Sequence, residues 1–248
     1  MANDRSQECS SGTCLCHATG EPVKTAAEAS WSRRGLLQAG VVGGALAATG
    51  PVLPAFAQSN LTAKAALQSL MSGNERFVAR KLKFFEEDLA VLQKSTAEKQ
   101  EPFASVLSCA DSRVPVELLF DQSIGHVFVN RVAGNIATSE IIASIEYGVA
   151  VLGTRVLMVL SHSGCGAVKA AIAAKEVPGQ ISSLYRYIRP AVDQARGDFV
   201  GAIKANARIQ AKLLRDSSPV VAAAVKAGTL SVVAAYYDLA NGKVTLLD

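Results

Sequence analysis

Two short stretches of this chain, about fifty residues apart, combine side chains that could do chemistry. The first runs Cys-Ala-Asp-Ser-Arg over residues 109–113, and the second runs His-Ser-Gly-Cys-Gly over residues 162–166. Together they offer two thiolates, one imidazole and one carboxylate, a donor set that suits a tetrahedral Zn²⁺. An arginine stands two residues after the carboxylate and can compete for it. The pattern predicts a catalytic metal site.

Both stretches follow apolar runs that are typical of buried strands. Residues 104–108 precede the first stretch, and residues 156–160 precede the second. Because alternate residues of an extended chain share a face, Cys109 and Asp111 are expected on the same side. Open α/β sheets bind their ligands at the carboxyl ends of strands, which is where both stretches would lie.

A disulfide between Cys109 and Cys165 is the alternative, and an exported protein could tolerate one. A lone buried cysteine is also more often an inert small hydrophobe than a ligand. Neither alternative requires a histidine three residues before Cys165 or the Cys-x-Asp-x-Arg pattern that begins at Cys109. We therefore favour a metal site.

The hydrophobic pattern predicts an α/β fold with a mostly parallel central sheet, flanking helices, an N-terminal helical arm and a C-terminal antiparallel hairpin. An apolar face on the first helix would suit a partner chain. The predicted helices cover residues 61–80, 86–99, 115–120, 138–152, 166–175, 181–195, 199–215 and 219–227, and the predicted strands cover 104–108, 126–131, 155–161, 229–237 and 244–247.

The N-terminal region predicts an export signal. Paired Arg33 and Arg34, a Gly/Ala-rich apolar stretch and an Ala-Phe-Ala ending at Ala57 match a twin-arginine signal. Residues 1–57 would be removed, which leaves residues 58–248 as a single periplasmic domain with no membrane attachment. A permanent membrane anchor is disfavoured because prolines and several glycines interrupt the apolar stretch.

Charge and cysteine content add two limits. The net charge is +4, and the leader holds four basic and four acidic residues, so the remaining chain keeps the same charge. That charge is too small to argue for nucleic acid, and its basic residues are interspersed with acids. Cys9, Cys14 and Cys16 stand beside His17 in the leader, either as part of an unfolded polar segment or as a metal cluster of the precursor.

Four motifs follow one another along the chain: Cys-Ala-Asp-Ser-Arg-Val at 109–114, Phe-Val-x-Arg-x-Ala-Gly-Asn at 128–135, Ser-Ile-Glu-Tyr at 144–147 and His-Ser-Gly-Cys-Gly-Ala at 162–167. In their order and spacing they resemble the β-class carbonic anhydrases, in the plant-like branch. This resemblance implies reversible hydration of carbon dioxide to bicarbonate and a proton, with one Zn²⁺ per chain.

The resemblance also implies roles for individual residues around the metal. Cys109, His162 and Cys165 would ligate zinc, while Asp111 and Arg113 would form a catalytic dyad. In a closed state of the site, Asp111 would leave Arg113 and become the fourth zinc ligand.

A substrate pocket follows from the same resemblance. Gln100 would hydrogen-bond bicarbonate, Phe128 and Tyr147 would supply aromatic walls across a dimer interface, and Gly166 would line the pocket beside the metal. The protein would then be a homodimer or a higher even oligomer.

Two other functions remain open at the level of sequence. The first is hydrolysis of carbonyl sulfide or carbon disulfide on the same scaffold, against which the polar Gln100 argues. The second is a non-catalytic zinc-binding or bicarbonate-binding protein. Structural zinc sites are usually closed by four Cys or His ligands, whereas here the fourth donor would be a carboxylate with an arginine beside it.

Overall fold

Helices and strands alternate along the chain as the hydrophobic pattern predicts. The computed structural model of the protein describes residues 60–83 and 99–247, all within one compact unit. These described residues form five strands, β1 (Ala104–Ser108), β2 (Val127–Arg131), β3 (Val156–His162), β4 (Ser231–Tyr237) and β5 (Val244–Leu247). The same residues form seven α-helices, α1 (Ala63–Val78), α2 (Val116–Leu119), α3 (Ser139–Ala150), α4 (Gly166–Ala173), α5 (Tyr185–Ala195), α6 (Phe199–Ser217) and α7 (Pro219–Lys226).

The five strands form one sheet in the order β2-β1-β3-β4-β5. The first four strands are parallel, and β5 alone runs antiparallel, against β4. The predicted C-terminal hairpin is therefore present, with its first strand also extending the parallel part of the sheet. Since β1 lies between β2 and β3, the chain leaves β1 toward one side of the sheet and later returns on the other side.

Apolar side chains cover both faces of the sheet, as expected for parallel strands. Val106 and Met158 belong to one buried cluster, with Leu70 of α1. Their neighbours Leu107 and Val159 belong to a second cluster on the opposite face. This alternation follows from the period of two along a strand. Packing on both faces thereby holds the strand ends in place, and this sets the positions of the residues that follow them.

Helix α1 begins at a Thr62 cap, whose hydroxyl accepts a hydrogen bond from Ala65 N at 3.2 Å. The sequence predicted that the apolar face of this helix suits a partner chain. In the structure Leu70 of that face packs in the chain's own core, where it covers one face of the sheet, while Val78 at the end of the helix is exposed. Gly73 is needed where α1 approaches α2, since a Cβ there would lie 1.7 Å from Phe120 O.

Other differences from the sequence prediction concern boundaries. The helix predicted at 181–195 begins as a 3₁₀ turn, Ile181–Leu184, before α5 starts. The helix predicted at 86–99 falls almost entirely outside the described residues, and so does the export signal at 1–57. Among the helices that are described, none is long and apolar enough to cross a membrane.

Candidate active site

The sheet topology brings the two chemical stretches together. Ser108, the last residue of β1, lies opposite Leu160 of the neighbouring β3. Cys109 follows β1 directly, and His162 is the last residue of β3. Because the strand order reverses between β1 and β3, this is the crevice where open α/β sheets bind ligands.

Three donor atoms converge in this crevice. The sulfurs of Cys109 and Cys165 and a ring nitrogen of His162 all lie within 4.8 Å of one another, and all three residues are buried. Both cysteines are free, so the disulfide alternative is not what the structure shows. Within residues 60–83 and 99–247, no other group of three such side chains could hold a metal.

His162 presents one nitrogen to the cluster. Its Nδ1 lies 2.9 Å from Ser163 O, a carbonyl that can only accept, so Nδ1 carries the proton and Nε2 is left with a lone pair. That Nε2 is buried and makes no hydrogen bond. The next residue is fixed in turn, because Ser163 N donates to Tyr237 O at 2.9 Å at the end of β4.

The two sulfurs interact strongly with each other. A hydrogen bond from the Cys165 thiol lowers the pKa of Cys109, and the same hydrogen bond raises the pKa of Cys165. Backbone N–H groups of Ala167 and Val168, at the start of α4, act the other way on Cys165. On their own the two sulfurs favour a single negative charge, and a divalent cation between them would stabilise both thiolates.

These residues fit a zinc ion. Bond lengths of about 2.3 Å to sulfur and 2.0 Å to nitrogen place tetrahedral ligand atoms up to about 3.8 Å apart. The three donor atoms lie within 4.8 Å of one another, so they would close by at most about 1 Å around the ion. The unpartnered Nε2 of His162 is the kind of buried polar atom that a metal satisfies. Cys109 and Cys165 would supply the thiolates.

Asp111 lies at the edge of the cluster and is held by Arg113. Arg113 Nε donates to Oδ1 at 2.9 Å, and Arg113 Nη2 donates to Oδ2 at 2.7 Å. This bidentate pairing lowers the pKa of Asp111 well below its usual range. Oδ2 lies 3.9 Å from His162 Nε2, so the carboxylate faces the cluster but is not one of its three donors.

Two residues that support the cluster received no role from the sequence. Arg131 Nε donates to Cys109 O at 3.0 Å, and its Nη2 donates to Asp111 O at 2.6 Å. Gly134 N donates to Cys109 Sγ at 3.3 Å. Both residues belong to the motif at 128–135. That motif was therefore the sequence signal for them, although it did not indicate what they contact.

The proposed pocket residues are not all brought to the cluster within one chain. Phe128 lies opposite Ser105, four residues before Cys109, or about 13 Å away at the rise of a strand. Its ring contacts that of Tyr147, with centroids 6.2 Å apart, and Tyr147 is 46 % exposed. These aromatic rings are thus available to another surface and not to their own chain's cluster.

Gln100 and Gly166 differ in position. Gln100 is exposed and precedes β1, whereas Cys109 follows the carboxyl end of the same strand. Gly166 starts α4 directly after Cys165, and a Cβ at this position would meet no heavy atom within 4 Å. Of the four pocket residues, Gly166 alone adjoins a donor of the same chain in sequence.

Comparison with known proteins gives consistent matches. Residues 104–244 match the protein family described as carbonic anhydrase. Carbonic anhydrase 2 of Mycobacterium tuberculosis is 34% identical over 197 residues, which cover 76% of this chain and 95% of that protein.

Two solved structures illustrate the shared fold. Tetrameric β-carbonic anhydrases from Sordaria macrospora superpose with a TM-score of 0.61 at 21% identity, over 74% of this chain and 97% of theirs. A Coccomyxa β-carbonic anhydrase in complex with acetazolamide gives a TM-score of 0.56 at 26% identity, over 65% of this chain and 81% of that one. The motifs, the sheet and these matches agree, and this chain therefore belongs to the β-class carbonic anhydrase family of enzymes.

Proposed function

We propose that this chain catalyses the reversible hydration of carbon dioxide to bicarbonate and a proton, with one zinc ion held by Cys109, His162 and Cys165. The observation that carries this proposal is the buried three-donor cluster with an arginine-held carboxylate at its edge. A structural zinc site would have a fourth Cys or His in place of that carboxylate.

The bound zinc would supply a Lewis acid that makes water a strong nucleophile near neutral pH. Asp111 would orient the attacking water, since its carboxylate faces the cluster. Oδ1 already accepts from both Arg113 N and Arg113 Nε, whereas Oδ2 accepts only from Arg113 Nη2. Oδ2 therefore has a free lone pair on the side of the cluster, and it could accept a hydrogen bond from the attacking water.

Arg113 would keep the site open. Its bidentate bond to Asp111 fixes the carboxylate away from the three donors, and its Nη2 also lies 3.4 Å from Gly164 O, in the loop that carries Cys165. If this bond were lost, Asp111 could turn toward the metal and become a fourth ligand. The guanidinium geometry suits this task because two parallel N–H groups match two carboxylate oxygens.

A second copy of the chain would complete the substrate pocket. Phe128 and Tyr147 lie away from their own cluster, and Tyr147 is exposed. Gln100 lies at the other end of β1 from Cys109. A homodimer, or a higher even oligomer, would place these residues over the partner's cluster, where the amide of Gln100 could donate to bicarbonate.

The direct test is stopped-flow hydration of carbon dioxide by the chain from Gln58 onward, purified with zinc. We expect catalysis well above the buffer rate and much weaker turnover of carbonyl sulfide and carbon disulfide. Equal or faster turnover of either sulfur compound would favour the alternative hydrolase. A zinc-loaded protein with no turnover of any of the three would favour the non-catalytic alternative.

We also propose that the protein is exported to the periplasm by the twin-arginine route. The support is the sequence around Arg33 and Arg34 and the Ala-Phe-Ala ending at Ala57. Replacement of both arginines by lysine should keep the precursor inside the cell, while the unaltered chain should yield a periplasmic form that begins near Gln58. Normal export of the double-lysine variant would contradict this proposal.

A further inference from the structure

Two buried amide side chains stand on an otherwise apolar face of α6. Asn206 and Gln210 are 0% and 1% exposed. They lie one helical turn apart, and Gln210 Nε2 donates to Asn206 Oδ1 at 3.3 Å. The other buried residues of this helix are Ala202, Ile203, Ala205, Ala207, Ala211 and Leu214.

Both amides form hydrogen bonds with the loop that follows β2. Asn206 Nδ2 donates to Gly134 O at 2.8 Å, and Gln210 Oε1 accepts from Ala137 N at 2.9 Å. Gln210 Nε2 also donates to Tyr187 O on α5 at 3.1 Å. Burying an amide costs free energy unless it is hydrogen-bonded. The packing of α6 therefore depends on these hydrogen bonds to the loop.

The same loop residue contacts a cluster donor. The N–H of Gly134 donates to Cys109 Sγ, while its carbonyl accepts from Asn206. Gly134 has φ of +79°, and a Cβ there would lie 2.8 Å from Ile188 Cδ1. Gly134 therefore links the two sites through its flanking peptide groups: its carbonyl accepts from Asn206, and its N–H donates to Cys109 Sγ.

We propose that Asn206 and Gln210 are positioning residues for Cys109: they hold the Gly134 N–H on the sulfur and so determine how tightly the cluster binds zinc. This inference rests on the proposed metal site. Hydrogen bonds to ligand atoms orient the ligand and tune its donation, and their loss typically weakens metal binding about 10–100-fold.

The test measures zinc affinity by competition with a chelator, together with the thiolate-to-cobalt absorption of the cobalt-substituted protein. Asn206→Leu removes the donor to Gly134, and Gln210→Met removes the acceptor for Ala137. Asn206→Ser is a milder variant whose hydroxyl is too short to reach Gly134 O. Asn74→Leu is the matched control.

The control loses a buried amide of the same kind that bonds neither to the loop after β2 nor to a cluster donor. Asn74 is 3% exposed, and its Nδ2 donates to Leu119 O at 3.2 Å and to Gly242 O at 2.9 Å. Asn74→Leu should lower stability yet keep zinc affinity within about twofold of wild type. The two α6 variants should bind zinc at least about tenfold more weakly and show an altered cobalt–thiolate band.

Wild-type affinity and an unchanged cobalt spectrum in Asn206→Leu and Gln210→Met would overturn the inference. If Asn206→Leu does not fold, the same readouts on Asn206→Ser and Gln210→Met decide. An equal loss of affinity in Asn74→Leu would also overturn it, because general destabilisation would then be the cause. A wild-type protein that binds no zinc would refute the metal site itself, a different and distinguishable result.

Discussion

Arg113 forms a bidentate ion pair with Asp111: Arg113 Nε donates to Asp111 Oδ1 at 2.9 Å, and Arg113 Nη2 donates to Asp111 Oδ2 at 2.7 Å. The two residues are only two positions apart, and Arg113 N also donates to Oδ1, so the turn itself preorganises the pair. Arg113 is 55% exposed and Asp111 only 16%. The carboxylate is thus turned toward the buried cluster by an arginine that solvent can reach.

The first prediction separates the two proposed roles of Asp111. Asp111→Asn should retain zinc, because Cys109, His162 and Cys165 remain. Its hydration rate should fall about 10²-fold. A neutral amide accepts a hydrogen bond from water less strongly than a carboxylate does, and it forms no ion pair with Arg113. Zinc content and stopped-flow rates on the same samples measure both effects. Asp193→Asn is the control, because that residue pairs with an arginine on the exposed surface of α5.

Arg113→Ala should fail in a different way. The freed Asp111 would bind the metal as a fourth ligand, which gives a zinc-loaded and inactive protein. X-ray absorption at the zinc edge should then show an oxygen ligand that is absent from the wild-type protein. Arg189→Ala is the control, because it breaks an exposed arginine–aspartate pair of the same kind. Full activity in Arg113→Ala, with unchanged zinc coordination, would eliminate the positioning role.

A second prediction concerns pH. The hydrogen bonds from Arg113 lower the pKa of Asp111, so its carboxylate carbon should titrate well below the ordinary value of about 3.9. Because the folded-state pKa is depressed, the pair stabilises the fold fully above about pH 4 and loses that effect as the pH falls through the depressed pKa. In zinc-free protein, where Asp111 has no metal to bind, carbon-13 NMR titration should show the Asp111 midpoint moving up in Arg113→Ala relative to wild type. Identical midpoints in the two proteins would show that the pair does not control this carboxylate.

The sequence predicted the parallel sheet because apolar runs alternate with helical patterns, and it placed both chemical stretches at carboxyl ends of strands. The sequence pattern did not predict which residues pack against each other. Gly73 looks like a weak point of a helix in sequence, yet in space it permits the backbone of Phe120 to approach. Periodicity shows that α1 has an apolar face but not which surface covers it.

Long-range polar contacts were also beyond the sequence. Asn206 bonds to a residue 72 positions away, and Gln210 to one 73 positions away. An amide within an apolar helical pattern signals only that a partner must exist when the side chain is buried. The partner becomes known once the loop after β2 is placed. Arg131 is similar, since strand pairing alone sets its side chain beside the turn after β1.

A third prediction tests the shared pocket by mixing inactive chains. Cys109→Ser removes a metal ligand, and Gln100→Ala removes the proposed bicarbonate contact. If each site uses Cys109 of one protomer and Gln100 of the other, a mixed dimer contains one fully intact site. Co-refolded mixtures should then hydrate carbon dioxide faster than the mean of the two separate variants.

Sedimentation at micromolar concentration should also show at least a dimer. A mixture that performs no better than that mean, or a fully active monomer, would mean that each pocket is built from one chain. Mixing of two Cys109→Ser preparations, one of them tagged, provides the control for exchange of protomers without recovery of activity.

The most direct test of the whole account is the zinc content per chain, measured with the hydration rate, in wild type, Cys109→Ser and His162→Ala. Ser161→Ala serves as the control, because it removes a buried hydroxyl next to His162 that bonds to Ala235 O and belongs to no donor set. We expect one zinc per chain in wild type and in the control, and loss of both metal and activity in the two ligand variants. Stoichiometric zinc and wild-type hydration in Cys109→Ser and His162→Ala would contradict the account.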